Sequence, residues 1–254
     1  MNKVYSKPLS ISEKPFSYCA GCGHSIVHKL LGELFDEMEI TEKVIAVAPV
    51  GCAVTAYDFF NVDFCEAAHG RAAAVATGIR RVHPDKIVIS YQGDGDLAAI
   101  GLAETLHAAN RGENITVVFI NNSVYGMTSG QMAPTTLVGQ KTMTSPFGRS
   151  ADTDGYPIRI AELIATLEAP ALSARTTVHT LQNIIKTKNI LKKALTLQSE
   201  KKGYSLIEIL SQCPTNLGVS PIKNNEWVEK NLSAYFKPGI YKDKYGVLGG
   251  SHAS

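Results

Sequence analysis

Apolar positions in this chain follow two alternating rhythms. Val27, Leu30, Leu31, Leu34, Phe35 and Met38 recur at steps of three and four, the spacing that stacks side chains on one helix face. KVIAVA (43–48) is instead an unbroken apolar run closed by Pro49 and Gly51, which predicts a strand buried on both faces. GRAAAVATGIRRV (70–82) predicts an Ala-rich helix that stops before His83-Pro84. KIVISYQ (86–92) predicts the next buried strand. Residues 97–110 predict a helix with Ala98, Leu102, Leu106 and Ala109 on one face and a stop at Arg111-Gly112. ITVVFIN (115–121) predicts a strand again. Such alternation indicates an α/β fold: a mostly parallel sheet with helices on both faces.

Residues 123–156 break the rhythm, being rich in Thr, Ser, Gly and Pro. A loop of that length inside a domain is expected to serve a function. IRIAELIATL (158–167) predicts a helix, ALSARTT (171–177) a strand, and Leu181, Ile184, Ile185, Leu191 and Leu195 a long helix. YSLIEIL (204–210) predicts the last strand, running into Cys213-Pro214. Residues 1–220 therefore form the expected domain. Residues 221–254, with Trp227, Tyr235, Phe236 and Tyr241, form a tail expected to pack on that domain or on a partner.

Composition narrows the class. The chain has 254 residues, 44% hydrophobic and 19% charged, with a net charge of +2, an ordinary globular balance that gives no sign of nucleic-acid or membrane binding. MNKVYSKPLSISEKPFSYC lacks the apolar core of a signal peptide, and VIAVAPVGCAV is too short to span a bilayer. The expected location is the cytoplasm. Five cysteines, Cys19, Cys22, Cys52, Cys65 and Cys213, point to reduced thiols rather than a disulfide framework. Cys65 reads as a small buried hydrophobe.

Candidate chemistry gathers where strands end. QGDGDLAA (92–99) follows one predicted strand, and Asn121-Asn122 ends the next. In parallel sheets ligands sit beyond the carboxyl ends of the strands, and a right-handed crossover would bring Asp94 and Asn122 to one point. A carboxylate and an amide oxygen are hard donors suited to Mg²⁺ shared with phosphates. Gly93 and Gly95 permit close backbone approach. A dinucleotide site competes poorly, because no G-x-G-x-x-G follows a strand. Cys19-x-x-Cys22 precedes a helix, and Cys52 and Cys213 follow strands. Four thiolates can hold Zn²⁺ or a [4Fe–4S] cluster, and spacing alone leaves both open.

GDGDLAAIGLAETLHAANRGENITVVFINN (93–122) resembles the thiamine diphosphate signature, GDG followed by NN about thirty residues from its start. CAGCGH, GCAV, HGRA, GDGD, NN, VYGMTSGQMAPTT and QCPT occur in the order seen in the beta, thiamine-diphosphate-binding subunit of 2-oxoacid:ferredoxin oxidoreductases. The chain resembles that family over most of its length. AHGRAAAVATGIRRVHPDKIV and GQMAPTTLVGQKTMTSP are most similar to the 2-oxoisovalerate type.

The resemblance implies the thiamine-diphosphate-binding fold and assigns Cys19, Cys22, Cys52 and Cys213 to a [4Fe–4S] cluster. It gives Mg²⁺ the side chains of Asp94 and Asn122 and the carbonyl of Val124. Gly93, Gly95, Asp96, Gly126 and Met127 would line the diphosphate, and Val50, Gly51, Cys52 and Ala53 would touch the cofactor. His69 is a further contact candidate, with a structural role in opening its helix as the alternative. Arg71 reads as structural, with an ion pair across a subunit boundary. Ser129 departs from the family's TGGQ and would stiffen its loop.

The implied reaction is oxidative decarboxylation of a 2-oxo acid with coenzyme A to acyl-CoA and CO₂, with electrons passing through the cluster to ferredoxin. The activating Glu is expected on an alpha, pyrimidine-binding subunit, with gamma and ferredoxin-like delta subunits completing the assembly. No side chain here is assigned as the catalytic acid or base. Two rivals use the same residues: a non-oxidative thiamine decarboxylase or carboligase, and a zinc-stapled scaffold without catalysis.

Overall fold

Alternate residues of the apolar runs enter two different cores, so the runs are strands covered on both faces. The computed structural model describes residues 6–246; the end of the expected tail, 247–254, lies outside them. In chain order the strands are β1 (Val44–Ala48), β2 (Asp63–Glu66), β3 (Ile87–Gly93), β4 (Thr116–Asn121), β5 (Val124–Tyr125), β6 (Gln131–Met132), β7 (Leu172–Thr177), β8 (Ser205–Leu210) and β9 (Gly239–Asp243). The helices are α1 (Gly23–Glu37), α2 (Ala72–Val82), α3 (Leu102–Asn110), α4 (Ala151–Asp154), α5 (Ile160–Ala165), α6 (Leu181–Ser199), α7 (Pro214–Leu217), α8 (Pro221–Trp227) and α9 (Ser233–Tyr235).

Seven strands form one sheet in the order β2-β1-β3-β4-β8-β7-β9, parallel except for β9, which pairs antiparallel with β7. In β4, Val118 and Ile120 join the core under α1 and α6, while Val117 and Phe119 join the core under α2, α3 and α5. The chain leaves β1 outward to β2 and returns on β1's other side as β3. That reversal opens a crevice beyond the carboxyl ends of β1 and β3, the usual ligand position in such sheets.

Two elements and one cysteine differ from the sequence expectation. β2 was not anticipated: Asp63 and Glu66 are exposed at the sheet edge, so no apolar run marks it. Cys65 lies on this edge strand half-buried, not in the core. The helix expected over 97–110 is split: a π-helical turn covers Gly95–Ile100, and α3 begins after Gly101. Gly70 packs closely against the junction, where a Cβ on Gly101 would stand 2.7 Å from the Gly70 carbonyl oxygen.

The segment after Cys213 builds a small core of its own. Val228, Leu232 and Phe236 are fully buried against Leu210. At roughly 1.5–3 kcal/mol per buried side chain of this size, that contact holds the segment to the sheet, and β9 extends it.

Candidate active site

Three strand ends meet at the crevice. Residues 49–53 follow β1, 93–96 run from the last residue of β3, and Asn122 and 124–128 follow β4, and together they line a cavity of about 100 Å³. Gly93 stands opposite Ile120 in the β3–β4 register, so Asp94 and the Asn121-Asn122 pair end adjacent strands. Val50, Gly51, Cys52, Ala53, His69, Gly93, Asp94, Gly95, Asp96, Asn122, Val124, Gly126 and Met127 all line this one cavity.

Asp94 is buried. Its Oδ1 accepts from the Gly95 amide at 3.0 Å and its Oδ2 from Thr135 Oγ1 at 2.8 Å. Burial pushes the Asp94 carboxyl up to about 7, against the lowering effect of hydrogen bonds from Thr135 and from the Gly95 and Ser123 backbone. A divalent cation beside it would reverse that shift and hold it ionised. Asn122 Oδ1 accepts from the Val124 amide at 3.3 Å. Between them Ser123 adopts φ +63, a left-handed backbone unusual for a residue with a Cβ. Carboxylate, amide and carbonyl oxygens so gathered form a set that could hold Mg²⁺.

Glycines shape the rest of this wall. A Cβ on Gly93 would meet nothing within 4 Å, leaving that backbone open to the cavity. A Cβ on Gly95 would collide with the Tyr125 ring at 2.0 Å. Asp96 is also buried, but its carboxylate is committed elsewhere. Oδ1 accepts from the Gly70 amide at 2.8 Å and lies 2.6 Å from His69 Nδ1; Oδ2 accepts from Gln92 Nε2 at 2.7 Å. Because a carboxylate only accepts, Nδ1 of His69 is assigned the proton, and it is the half-buried His69 ring that Asp96 offers to the cavity.

A second cavity of about 410 Å³ adjoins the first, sharing His24, Cys52, Asn122, Gly126 and Met127. Cys19, Cys22, Cys52 and Cys213 all line it. A Cβ on Gly126 would lie 3.3 Å from the Cys213 sulfur and 3.4 Å from the Cys52 sulfur. Burial pushes the Cys22 thiol up to about 12, and Cys213, Cys52 and Cys19 add to the rise. Cys52 is pushed up to about 11 by burial, then by Cys213, Cys19 and Asp94. The four thiols thus feel one another across the cavity. Among the described residues no three His, Cys, Asp or Glu side chains close tightly enough for a single ion.

His24, on the first turn of α1, lines both cavities. Its Nδ1 pairs with the Tyr91 hydroxyl at 2.7 Å, and Tyr18 stacks on its ring. Burial lowers its pKa to about 4, so the ring is neutral near pH 7.

Residues 49–209 match the family model of the thiamine pyrophosphate enzyme C-terminal TPP binding domain. The chain is 48% identical over 244 residues to the ketoisovalerate oxidoreductase subunit VorA of Methanothermobacter thermautotrophicus, covering 96% of this chain and 51% of that protein. It is 38% identical over 205 residues to the 2-oxoglutarate synthase subunit KorB of Methanocaldococcus jannaschii, covering 80% and 72%. Among solved structures it matches a 2-oxoglutarate:ferredoxin oxidoreductase from Magnetococcus marinus with 2-oxoglutarate, coenzyme A and succinyl-CoA bound. That match has a TM-score of 0.74 and 30% identity, covering 84% of this chain and 70% of that one. The chain belongs to the 2-oxoacid:ferredoxin oxidoreductase beta-subunit family.

This family member spans about half the length of the VorA relatives it matches. Among the described residues no helix is long and apolar enough to cross a membrane. Arg71 pairs with Glu104 of the same chain, across the α2–α3 contact. One expectation for the beta subunit needs correction. Ser129 is exposed at φ +85, so it strains its turn where a glycine would rest, rather than stiffening it.

His24, Tyr125 and Thr135 escaped the sequence reading. His24 directly follows Cys22-Gly23 and could have been suspected from that position. Thr135 sits 41 positions from its partner Asp94 in a segment without periodicity, and no local signal marks it.

Proposed function

We propose that this chain binds thiamine diphosphate through Mg²⁺ and, beside it, a [4Fe–4S] cluster, as the beta subunit of a branched-chain 2-oxoacid:ferredoxin oxidoreductase. The observation that carries the proposal is the shared wall: Cys52, Asn122 and Gly126 line both the oxygen-donor cavity and the cysteine cavity. A thiamine enzyme that merely decarboxylates has no use for four thiols there.

When bound, thiamine diphosphate supplies the electron sink for decarboxylation and the cluster a one-electron outlet. Overall, a 2-oxo acid anion, coenzyme A thiol and two oxidised ferredoxins give acyl-CoA, CO₂, two reduced ferredoxins and one proton. Asp94, Asn122 and the Val124 carbonyl would hold the metal. Gly93 and Gly126 would let the backbone approach the diphosphate, and His69, held by Asp96, would face the cofactor. Cys19, Cys22, Cys52 and Cys213 would ligate iron, with Cys22 and Cys213 buried and Cys19 on the exposed side. Val50 and Met127 are exposed at the rim; an alpha subunit bringing the activating Glu would cover them. Gamma and ferredoxin-like delta subunits would carry electrons onward. The branched-chain preference rests on the 48% and 45% identity to two VorA relatives.

Anaerobic co-purification tests this. Wild-type complex should carry about four more iron and four more sulfide per copy of this chain than the Cys19→Ser complex, and should reduce ferredoxin fastest with a branched 2-oxo acid and coenzyme A. Zinc in place of iron would support the scaffold. Release of CO₂ without acceptor, indifferent to Cys19→Ser, would support the non-oxidative enzyme.

A further inference from the structure

One stretch of the irregular 123–156 segment grips both halves of the oxygen-donor set. Thr135 Oγ1 donates to Asp94 Oδ2 at 2.8 Å, on the β3 side. On the β4 side, Thr136 Oγ1 donates to the Ser123 carbonyl at 2.6 Å, and Gln140 Nε2 donates to Ser123 Oγ at 2.9 Å. Ser123, Thr135 and Thr136 are each fully buried. The left-handed backbone of Ser123 is therefore over-determined by its neighbours, as such strain requires.

The stretch is fastened by one side chain. Arg149 is buried, and its guanidinium donates to the carbonyls of Ala133, Pro134, Thr136, Asp154, Gly155 and Tyr156 at 2.8–3.3 Å. One five-donor fork thus fastens both ends of the stretch around Thr135. Asp94, by contrast, cannot orient itself, since the terminal torsion of an aspartate is broad. The Gly95 amide on Oδ1 and Thr135 on Oδ2 together fix the plane of its carboxylate.

We propose that Thr135 is a positioning residue for the metal-binding carboxylate, holding Asp94 in the orientation the divalent ion requires; the proposal rests on the Mg²⁺ reading above. Groups that orient a metal ligand in this way are worth 10–100-fold in metal affinity. A neutral hydroxyl does so without neutralising the carboxylate's charge, which a Lys or Arg at this place would.

The test titrates Mn²⁺ into the metal-stripped complex with thiamine diphosphate present, following loss of the free-Mn²⁺ paramagnetic resonance signal. Thr135→Val should raise the midpoint about tenfold or more, while Thr135→Ser, which keeps the hydroxyl, should stay within about twofold of wild type. Thr135→Ala takes the same test if the valine variant does not fold. An unchanged midpoint in the valine or alanine variant overturns the proposal, as does a serine variant as weak as they are. Asp94→Asn separates the two levels: if it too leaves the midpoint unmoved, the Mg²⁺ site itself is wrong, whereas a large Asp94→Asn effect with none at Thr135 sinks only the positioning role.

Discussion

Gly126 lies against Cys213: a methyl group added there would stand 3.3 Å from that sulfur and 3.4 Å from the sulfur of Cys52. The backbone of Gly126 is not left-handed, so alanine adds no torsional strain, only bulk on the wall between the two cavities. Gly126→Ala should leave the melting temperature within a few degrees while lowering the iron content of anaerobically purified complex by half or more. Iron analysis beside thermal unfolding checks it, and full iron occupancy would count against a filled cysteine cavity.

Asp94 should cost the metal-free chain stability. Its pKa rises from about 4 unfolded to about 7 folded through burial. The folded state therefore binds more protons between those values, and stability falls as pH rises from 4 to 7, then levels. The penalty above pH 7 is at most about 4 kcal/mol, from about three pKa units at 1.36 kcal/mol each. In EDTA at pH 8, Asp94→Asn should be more stable than wild type, with the advantage shrinking toward pH 5. Urea unfolding at both pH values reads the difference, and Mg²⁺ with thiamine diphosphate should erase it in wild type alone.

Arg175 and Glu208 are both fully buried and pair at 2.9 Å. Burial disfavours the guanidinium's charge, but Glu208 and Glu162 outweigh it and raise the Arg175 pKa. Glu208 also accepts from Asn121 Nδ2 at 2.7 Å, and Arg175 donates to the Tyr241 hydroxyl at 2.7 Å. The pair thereby ties the C-terminal strand to the end of β4. Arg175→Met leaves a buried carboxylate uncompensated and should cost about 3–5 kcal/mol. Adding Glu208→Gln should recover part of that loss, and a double-mutant cycle by chemical unfolding measures the coupling.

Ser129 holds φ +85 with its side chain exposed. A left-handed backbone costs a non-glycine residue roughly 1–2 kcal/mol, offset in part by the greater unfolded-state entropy of glycine. Ser129→Gly should therefore gain up to about 1 kcal/mol without altering turnover. Differential scanning calorimetry with a steady-state assay checks both halves.

The sheet's centre was legible because β3 and β4 are buried on both faces and leave unbroken apolar runs, with Asp94 and Asn122 at their ends. β2 was not, because an edge strand protected by Asp63 and Glu66 carries no such run. The π-turn at Gly95–Ile100 lies beside the close approach of Gly70 to Gly101, a contact between distant segments that periodicity within either one does not record. The cavity-lining backbone was foreseen, whereas Thr135 and the Arg149 hub were not. Their roles arise from how an irregular segment folds onto the sheet, and only the spatial arrangement exposes that.

On the proposed function, electrons from a 2-oxo acid should reach iron held by this chain. Freeze-quenched paramagnetic resonance of the anaerobic complex, mixed with a branched 2-oxo acid and coenzyme A without ferredoxin, tests it most directly. A reduced-cluster signal should appear in wild type and vanish in Cys52→Ser and Cys213→Ser, whose remaining subunits keep their own iron. The same signal persisting in both cysteine variants would contradict the account.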